Sequence, residues 1–235
     1  MPSRLRLDLH NHTHFSPDAL MSPAALLATA KARGIDCLAV TDHNTVEGAL
    51  EAVALAEGDL SLPRVIPGIE LTTADGEIIG LYVWNDIPAG LSLVESAELI
   101  RGQGGLVYLP HPYDVLRRGT ISRRQRIPAA ELSDIIEVMN GRALGPRAGE
   151  KAARLAGRLG APAGAGSDAH RELEVGLAWV EVDAYPSRDT LVSLVAGGAV
   201  VHDLSLREYT TNLGMKGLAP VTRLRHRVAS DPARR

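Results

Sequence analysis

The sequence predicts an α/β fold whose mainly parallel sheet closes, or nearly closes, into a barrel. Short apolar runs alternate along the chain with longer amphipathic segments, which is the pattern of βαβ units. The chain has 235 residues, a length that suits one of the larger α/β domains. It contains no internal repeat and no long linker, and so many βαβ units in one domain favour a barrel over an open sheet.

Nine short, mostly apolar runs are predicted to be strands. In chain order they are Arg4–Leu9, Cys37–Thr41, Val65–Leu71, Ile78–Val83, Leu106–Leu109, Ile135–Val138, Pro162–Ala165, Ala178–Val182 and Val200–His202. Ala74-Asp75-Gly76 lies directly between two of them and is typical of a hairpin turn, so that pair is predicted to be antiparallel.

Capping signals place helices between these strands, because Ser or Thr before an amphipathic run begins a helix and Gly after it ends one. The predicted helices are one opened by Ser22-Pro23 and ended by Gly34, Val46–Glu57 capped by Thr45, one from the capping box Ser92/Glu95 to about Gln103, Pro146–Leu159, and one from the cap Ser187 through Ala196.

Composition limits the location and the partners. The net charge of −3 gives no general attraction to nucleic acid or to an anionic membrane. No apolar run approaches the ~20 residues of a membrane span, and the first residues lack a signal-peptide core, so a cytoplasmic location is expected. The single cysteine, Cys37, is predicted to be a small core residue. Residues 217–235 hold five Arg and are predicted to be a flexible basic tail after a domain spanning 1–216.

Histidines and carboxylates follow the predicted strands in short motifs. These are Asp8-Leu9-His10-Asn11-His12, Thr41-Asp42-His43-Asn44, Gly68-Ile69-Glu70, Leu109-Pro110-His111-Pro112 and Gly166-Ser167-Asp168-Ala169-His170. The carboxyl ends of barrel strands converge on one mouth, where active sites are built. The motifs are therefore expected to meet there.

The spacing within two of these motifs favours a metal site. His10 and His12 are two residues apart at a strand end, and Asp168 and His170 repeat that spacing, so each pair is expected to face the same side. Imidazole combined with carboxylate suits Zn, Mn or Fe. Buried histidines need metal or hydrogen-bond partners to compensate for lost hydration. A metal-dependent hydrolase is the function that this clustering predicts.

Together with Ser16-Pro17-Asp18, the motifs resemble in content and order those of the PHP (polymerase and histidinol phosphatase) superfamily, over about residues 5–170. The resemblance is to its compact, stand-alone phosphoesterases. It implies a distorted (β/α)7 TIM-like barrel with two to three divalent metal ions (Mn, Zn or Fe) in a cleft at the C-terminal mouth of the strands. It also implies hydrolysis of a phosphate ester by a metal-activated hydroxide.

The resemblance further implies nine ligands in three sites. The ligands of the first site would be His10, His12, Glu70 and Asp168. Glu70 would bridge to a second ion, which His111 also binds, and Asn140 would complete this site where relatives often have His or Cys. The ligands of the third site would be Asp18, His43 and His170.

Other candidates follow from the chemistry of a phosphate ester. His43 and His170 could protonate a leaving group, although they suit ligation better, and Asp42 is expected to orient a ligand as a hydrogen-bond acceptor. Arg142 and one of Arg117 or Arg118 are the candidates for binding phosphate. Arg123, Arg124 and Arg126 are expected to be mainly solvated. No role is expected for the remaining histidines, His14, His202 and His226.

Three functions remain open. A phosphatase acting on a phosphorylated small molecule or nucleotide is favoured. A nuclease acting on nucleic-acid ends is the alternative, which the acidic charge and the 3% aromatic content disfavour and the Arg-rich segments keep open. A non-enzymatic metal-bound module would be expected to have lost ligands. Serine hydrolysis has little support, because Ser167 lies outside a Gly-x-Ser-x-Gly motif.

Overall fold

A computed structural model describes residues 4–114, 119–143 and 146–202. Arg117, Arg118, His226, the basic tail and the domain boundary at residue 216 therefore lie outside the described residues. No helix within the described ranges is long and apolar enough to cross a membrane.

All nine predicted strands are confirmed, with ends that move by a few residues. They are β1 Leu5–Asp8, β2 Cys37–Val40, β3 Arg64–Thr73, β4 Gly76–Leu81, β5 Leu106–Leu109, β6 Ile135–Asn140, β7 Ala163–Gly166, β8 Ala178–Val182 and β9 Ala199–His202. The hairpin is also confirmed, since Thr73 pairs with Gly76 across the turn and Gly76 has a φ of 132°.

The sheet forms the predicted distorted barrel. Its strand order is β7-β6-β5-β4-β3-β2-β1-β8-β9. β4 is antiparallel to both neighbours, and the other pairs among β1 to β7 are parallel. The barrel closes where the chain after β1 meets β7, with Leu9 N–H donating to the Ala165 carbonyl at 3.1 Å. β8 pairs antiparallel with Leu5, Arg6 and Leu7 of β1 and also pairs antiparallel with β9, so this hairpin adds no parallel strand to the barrel.

The helices cover the outside of the barrel. In chain order they are α1 Pro23–Ala32, α2 Glu47–Gly58, α3 Leu93–Gly102, α4 Arg126–Leu132, α5 Pro146–Leu159 and α6 Leu191–Ala196. The Ser22 cap and the Ser92/Glu95 capping box are confirmed. α4 was not predicted, because it is only seven residues long and Pro128 interrupts its pattern.

Two predicted caps are wrong. Thr45 Oγ1 accepts from Glu47 N–H, two residues on, so Thr45 forms a turn and α2 begins at Glu47. The Ser187 carbonyl accepts from Thr190 N–H, and this turn delays the start of α6 to Leu191.

The core consists of aliphatic side chains on both faces of the strands, and Tyr108 is its largest fully buried side chain. Cys37 is buried, as predicted. Burial raises the pKa of its thiol to about 12.

Candidate metal centre

The strand-end motifs meet around one cleft of about 650 Å³ at the mouth of the barrel. The described residues that line it are Pro17, Asp18, His43, Asn44, Glu70, Thr72, Glu77, His111, Gly119, Arg142, Asp168 and His170. His10 and His12 lie below this lining and are fully buried. Eight of the nine predicted ligands are thus brought within reach of one another. The ninth, Asn140, lies 2.9 Å from Asp168 Oδ2.

The first donor group lies at the base of the cleft. His10 Nε2 and His12 Nε2 are 3.0 Å apart. Glu70 Oε2 lies 3.5 and 3.3 Å from these two nitrogens, and Asp168 Oδ1 lies 3.7 and 3.5 Å from them. Ligand atoms at about 2.1 Å from one ion lie roughly 3.0–3.4 Å apart. The His10, His12 and Glu70 atoms form a set close enough to share a divalent ion, and Asp168 Oδ1 lies slightly farther from the two histidines.

The hydrogen bonds behind the two histidines strengthen this fit. His10 Nδ1 lies 3.2 Å from Glu137 Oε1, which can only accept. His12 Nδ1 lies 3.0 Å from Ser16 Oγ, whose own proton is donated to Asp42 Oδ1. Both Nδ1 atoms therefore carry the proton, and both Nε2 lone pairs point at each other. Such an arrangement requires a positive charge between the two rings.

The pKa values of the two rings agree with that requirement. Burial would lower the pKa of His10, but Glu70 and Glu137 outweigh it and raise the pKa to about 9. Burial, with His170 beside it, holds the pKa of His12 well below its usual value. A proton on His10 satisfies the pair when metal is absent, and an ion that binds there must displace it.

Glu70 joins the first donor group to a second one. Its Oε2 atom faces His10, His12 and His43, whereas its Oε1 atom lies 3.3 Å from His111 Nε2. Burial would raise the pKa of Glu70, but the surrounding histidines hold it well below the ordinary value. The carboxylate is thus ionised and presents one oxygen to each side, which is the geometry of a bridging ligand.

A third donor group lies at the rim. Asp18 Oδ2 lies 3.1 Å from His170 Nε2, and Asp18 Oδ1 lies 3.6 Å from His43 Nε2. The Asp18 side chain is 57% exposed, so this is the most open part of the cluster. Burial and the neighbouring Arg142 guanidinium lower the pKa of His170 to about 3, so its ring is neutral and able to bind metal.

Asn140 makes different contacts from those expected of a ligand. Its Nδ2 donates to Asp168 Oδ2 at 2.9 Å and to Glu137 Oε2 at 3.0 Å, and its Oδ1 accepts from Arg142 N–H. Both ends of the amide are thus engaged in hydrogen bonds, one of them to a member of the first donor group, and the role of Asn140 as a ligand stays a prediction. Its neighbour Arg142 does reach the cleft, with Nη1 2.5 Å from His170 Nδ1 and 3.8 Å from Asp168 Oδ1.

Two buried glutamates beside the cluster were not singled out from the sequence. Glu137, on β6, contacts His10 and the backbone of His111. Glu77, at the start of β4, lies 3.8 Å from His111 Nε2 and forms a possible ligand set with His43 and Glu70. The signal for Glu77 was its position just after the hairpin turn, because an antiparallel strand begins at the mouth where parallel strands end.

The remaining candidates lie away from the donor groups. Asp42 accepts from Thr13 and Ser16 rather than from a predicted ligand, and it reaches His12 only through the Ser16 hydroxyl. Arg123 and Arg124 are exposed, and Arg126 packs over the Tyr113 ring and donates to the Pro112 carbonyl. His14 is exposed and stacks on Phe15, and His202 ends β9.

Two models of known protein families match this chain. The family model described as PHP domain matches residues 8–123, and the one described as PHP-associated matches residues 146–200. The chain belongs to the PHP domain family. Two uncharacterised proteins of Methanocaldococcus jannaschii are similar: one is 44% identical over 46% of this chain and 68% of its own length, the other 33% identical over 75% and 70%.

Part of this PHP chain also resembles the 5'-3' exoribonuclease of Haemophilus influenzae, with 35% identity over 41% of this chain and 35% of that enzyme. Three solved structures share the fold at 19–20% identity. A Bifidobacterium adolescentis protein assigned as a metal-dependent phosphoesterase has a TM-score of 0.58 over 71% of this chain and 88% of its own. PsfC from Pseudomonas syringae has a TM-score of 0.60 over 91% of this chain and 98% of its own. An amidohydrolase from Chromobacterium violaceum has a TM-score of 0.59 over 70% of this chain and 87% of its own. The family and the donor cluster together support a metal-dependent hydrolase.

Proposed function

We propose that this PHP protein is a phosphoesterase that cleaves a phosphate ester of a small molecule or nucleotide. The observation that carries the proposal is the place of Arg142. Of the described residues that line the cleft, it is the one with a permanent positive charge, and it lies beside the first and third donor groups. A guanidinium binds phosphoryl oxygens through paired N–H groups, whereas the acidic lining alone would repel them.

Two to three divalent ions, Mn, Zn or Fe, held by these donor groups would activate water and stabilise negative charge on phosphoryl oxygens. The chain supplies the rest. Glu70 fixes the separation of two donor groups, and Arg142 orients the phosphoryl group. His43 faces the cleft beside Asp18, from which a proton could reach a leaving-group oxygen, whereas the neutral His170 ring on the other side of Asp18 suits ligation.

The test is turnover of an aryl phosphate monoester and diester by metal-depleted protein to which Mn, Zn or Fe is returned. We expect metal-restored hydrolysis that the double substitution His10→Ala/His12→Ala abolishes. The matched control is His14→Ala, which removes an exposed histidine outside the cleft and should leave turnover unchanged. Wild-type protein that binds metal but hydrolyses neither ester nor short oligonucleotides would overturn the proposal.

A nuclease acting on nucleic-acid ends is the second candidate, and the surface of α5 favours it. Exposed cations recur along one side of this helix at Arg147, Lys151, Arg154 and Arg158. Their spacing of three or four residues places them about 5–6 Å apart in a row that starts near the cleft. The partial similarity to an exoribonuclease supports the same substrate class.

Oligonucleotides with and without a terminal phosphate separate the two candidates. For the nuclease, Lys151→Glu/Arg158→Glu should weaken oligonucleotide cleavage and flatten its salt dependence while aryl phosphate turnover stays unchanged. Equal effects on both substrates, or no oligonucleotide cleavage, would leave the small-molecule phosphoesterase.

A further inference from the structure

The buried Glu137 carboxylate accepts hydrogen bonds from four directions. Its Oε1 atom lies 3.2 Å from His10 Nδ1 and accepts from Tyr108 O–H at 3.0 Å. Its Oε2 atom accepts from His111 N–H at 2.7 Å and from Asn140 Nδ2 at 3.0 Å. Two oxygens with four acceptor positions match these four donors, and no other side chain of that length could do so.

These contacts reach three separate segments of the donor cluster. His10 follows β1 and is held by its ring. His111 follows β5 and is held by its backbone, at a φ of 28° that non-glycine residues seldom adopt. Asp168 follows β7 and is held indirectly, because Asn140 donates to both Glu137 and Asp168.

We infer that Glu137 is the positioning residue of the metal centre: it fixes the His10 tautomer and holds the His111 and Asp168 segments in register. β6 thereby contributes an anionic support beneath the predicted ligands. The inference rests on the metal site of the proposed function and does not depend on which ester is cleaved.

The substitution Glu137→Gln tests it with little change of shape. A Gln side chain has one acceptor oxygen and one NH2 group. Its NH2 group would replace one carboxylate oxygen and would face two other hydrogen-bond donors, either those of His10 and Tyr108 or those of His111 and Asn140. We expect Zn and Mn affinity, measured by isothermal titration, to fall about 10–100-fold, and the visible spectrum of the Co-loaded protein to change. Wild-type affinity with an unchanged Co spectrum would overturn the inference.

Tyr108→Phe is the matched control, since it removes one hydrogen bond to the same carboxylate but frees no ligand segment. It should leave metal affinity within about threefold of wild type; an equal loss in both variants would mean that core packing alone matters, against the inference. If Glu137→Gln does not fold, long-range ¹H–¹⁵N NMR of the Zn-loaded wild-type protein decides. His10 should carry its proton on Nδ1, and a proton on Nε2 would refute the inference.

These readouts separate the inference from the proposed function. Loss of metal binding in Glu137→Gln supports the positioning role even if the wild-type protein cleaves no phosphate ester. Phosphoesterase activity that survives with wild-type metal affinity in this variant removes the positioning role and leaves the proposed function intact.

Discussion

The Ser16 hydroxyl connects two of the strand-end motifs, Asp8–His12 and Thr41–Asn44. It accepts from His43 N–H at 3.0 Å, contacts His12 Nδ1 and donates to Asp42. A group of this kind sets both the tautomer of a ligand and the position of the next ligand segment. Its loss should therefore affect metal binding more than fold.

We expect Ser16→Ala to lower metal affinity about tenfold, because His12 loses the acceptor that fixes its ring. The control is Ser92→Ala, which removes the cap of α3 and should cost about 1 kcal/mol of folding stability without changing metal affinity. Metal titration and chemical denaturation of both variants measure the two effects. Equal metal affinity in Ser16→Ala and wild type would contradict the expected role.

Glu77 yields a prediction about metal stoichiometry. Its position near His111, Glu70 and His43 places it where it could complete the second donor group in place of Asn140. Glu77→Gln should lower the number of ions retained after dialysis, as read by elemental analysis, whereas Glu51→Gln on the exposed face of α2 should not. Identical metal content in all three proteins would exclude Glu77 as a ligand.

At the scale of elements, the start of α2 packs directly on the Asp42 carboxylate. A Cβ atom at Gly48 would collide with Asp42 Oδ2 and Thr13 Oγ1, whereas a Cβ atom at Gly157 in α5 would meet nothing within 4 Å. The same substitution should therefore have opposite effects at the two helical positions.

Gly48→Ala should destabilise the protein by about 1–3 kcal/mol, since the collision displaces a buried hydrogen-bonded group. Gly157→Ala should stabilise it by about 0.5–1 kcal/mol through helix propensity. Urea denaturation measures both changes. Stabilisation of similar size at both positions would show that helix packing at Gly48 is looser than described.

Strand β2 provides a pH-dependent probe through Cys37. The thiol ionises near pH 9.0 in an unfolded chain and near 12 when buried, so it carries fewer protons after unfolding at intermediate pH. Its contribution to stability is therefore unaffected below about pH 9 and is lost progressively as the pH rises from 9 towards 12. Alkylation at pH 8 should be slow in native protein and fast in urea; rapid native alkylation would mean that β2 opens readily.

The strands and the hairpin could be predicted from the sequence because burial produces continuous apolar runs and the turn has its own residue signature. The pairing of β8 with β1 could not be predicted, because the alternation of strands and helices along the chain does not specify which strand a late strand pairs with. At the site, motif spacing predicted that the histidines and carboxylates following the strands would meet at one mouth, as they do. It did not predict the position of Glu137 or the contacts of Asn140. Hydrogen bonds of this kind join side chains from neighbouring strands, which only the folded barrel brings together.

At the scale of the whole molecule, metal binding should stabilise the fold. Ligand that binds only the folded state at a concentration of 100 Kd adds about 2.7 kcal/mol, or roughly 5–10 °C in Tm for a domain of this size. Calorimetry of metal-loaded and chelator-treated protein should show this shift. The shift should vanish in His10→Ala/His12→Ala, and a shift that persists there would place the stabilising ion elsewhere.

The closure of the barrel adds a consequence for the order of folding. The chain after β1 joins the chain after β7 through Leu9 N–H to Ala165, Asp168 N–H to the His10 carbonyl and His12 N–H to the Ala169 carbonyl. This seam pairs segments more than 150 residues apart, and the same segments present His10, His12 and Asp168 to one point. A nascent chain can therefore bring all four members of the first donor group together only after β7, the last strand of the barrel, is in place. An ion bound there would stabilise the contact between the chain after β1 and the chain after β7. Removal of the ion should therefore increase amide hydrogen exchange first in these two segments.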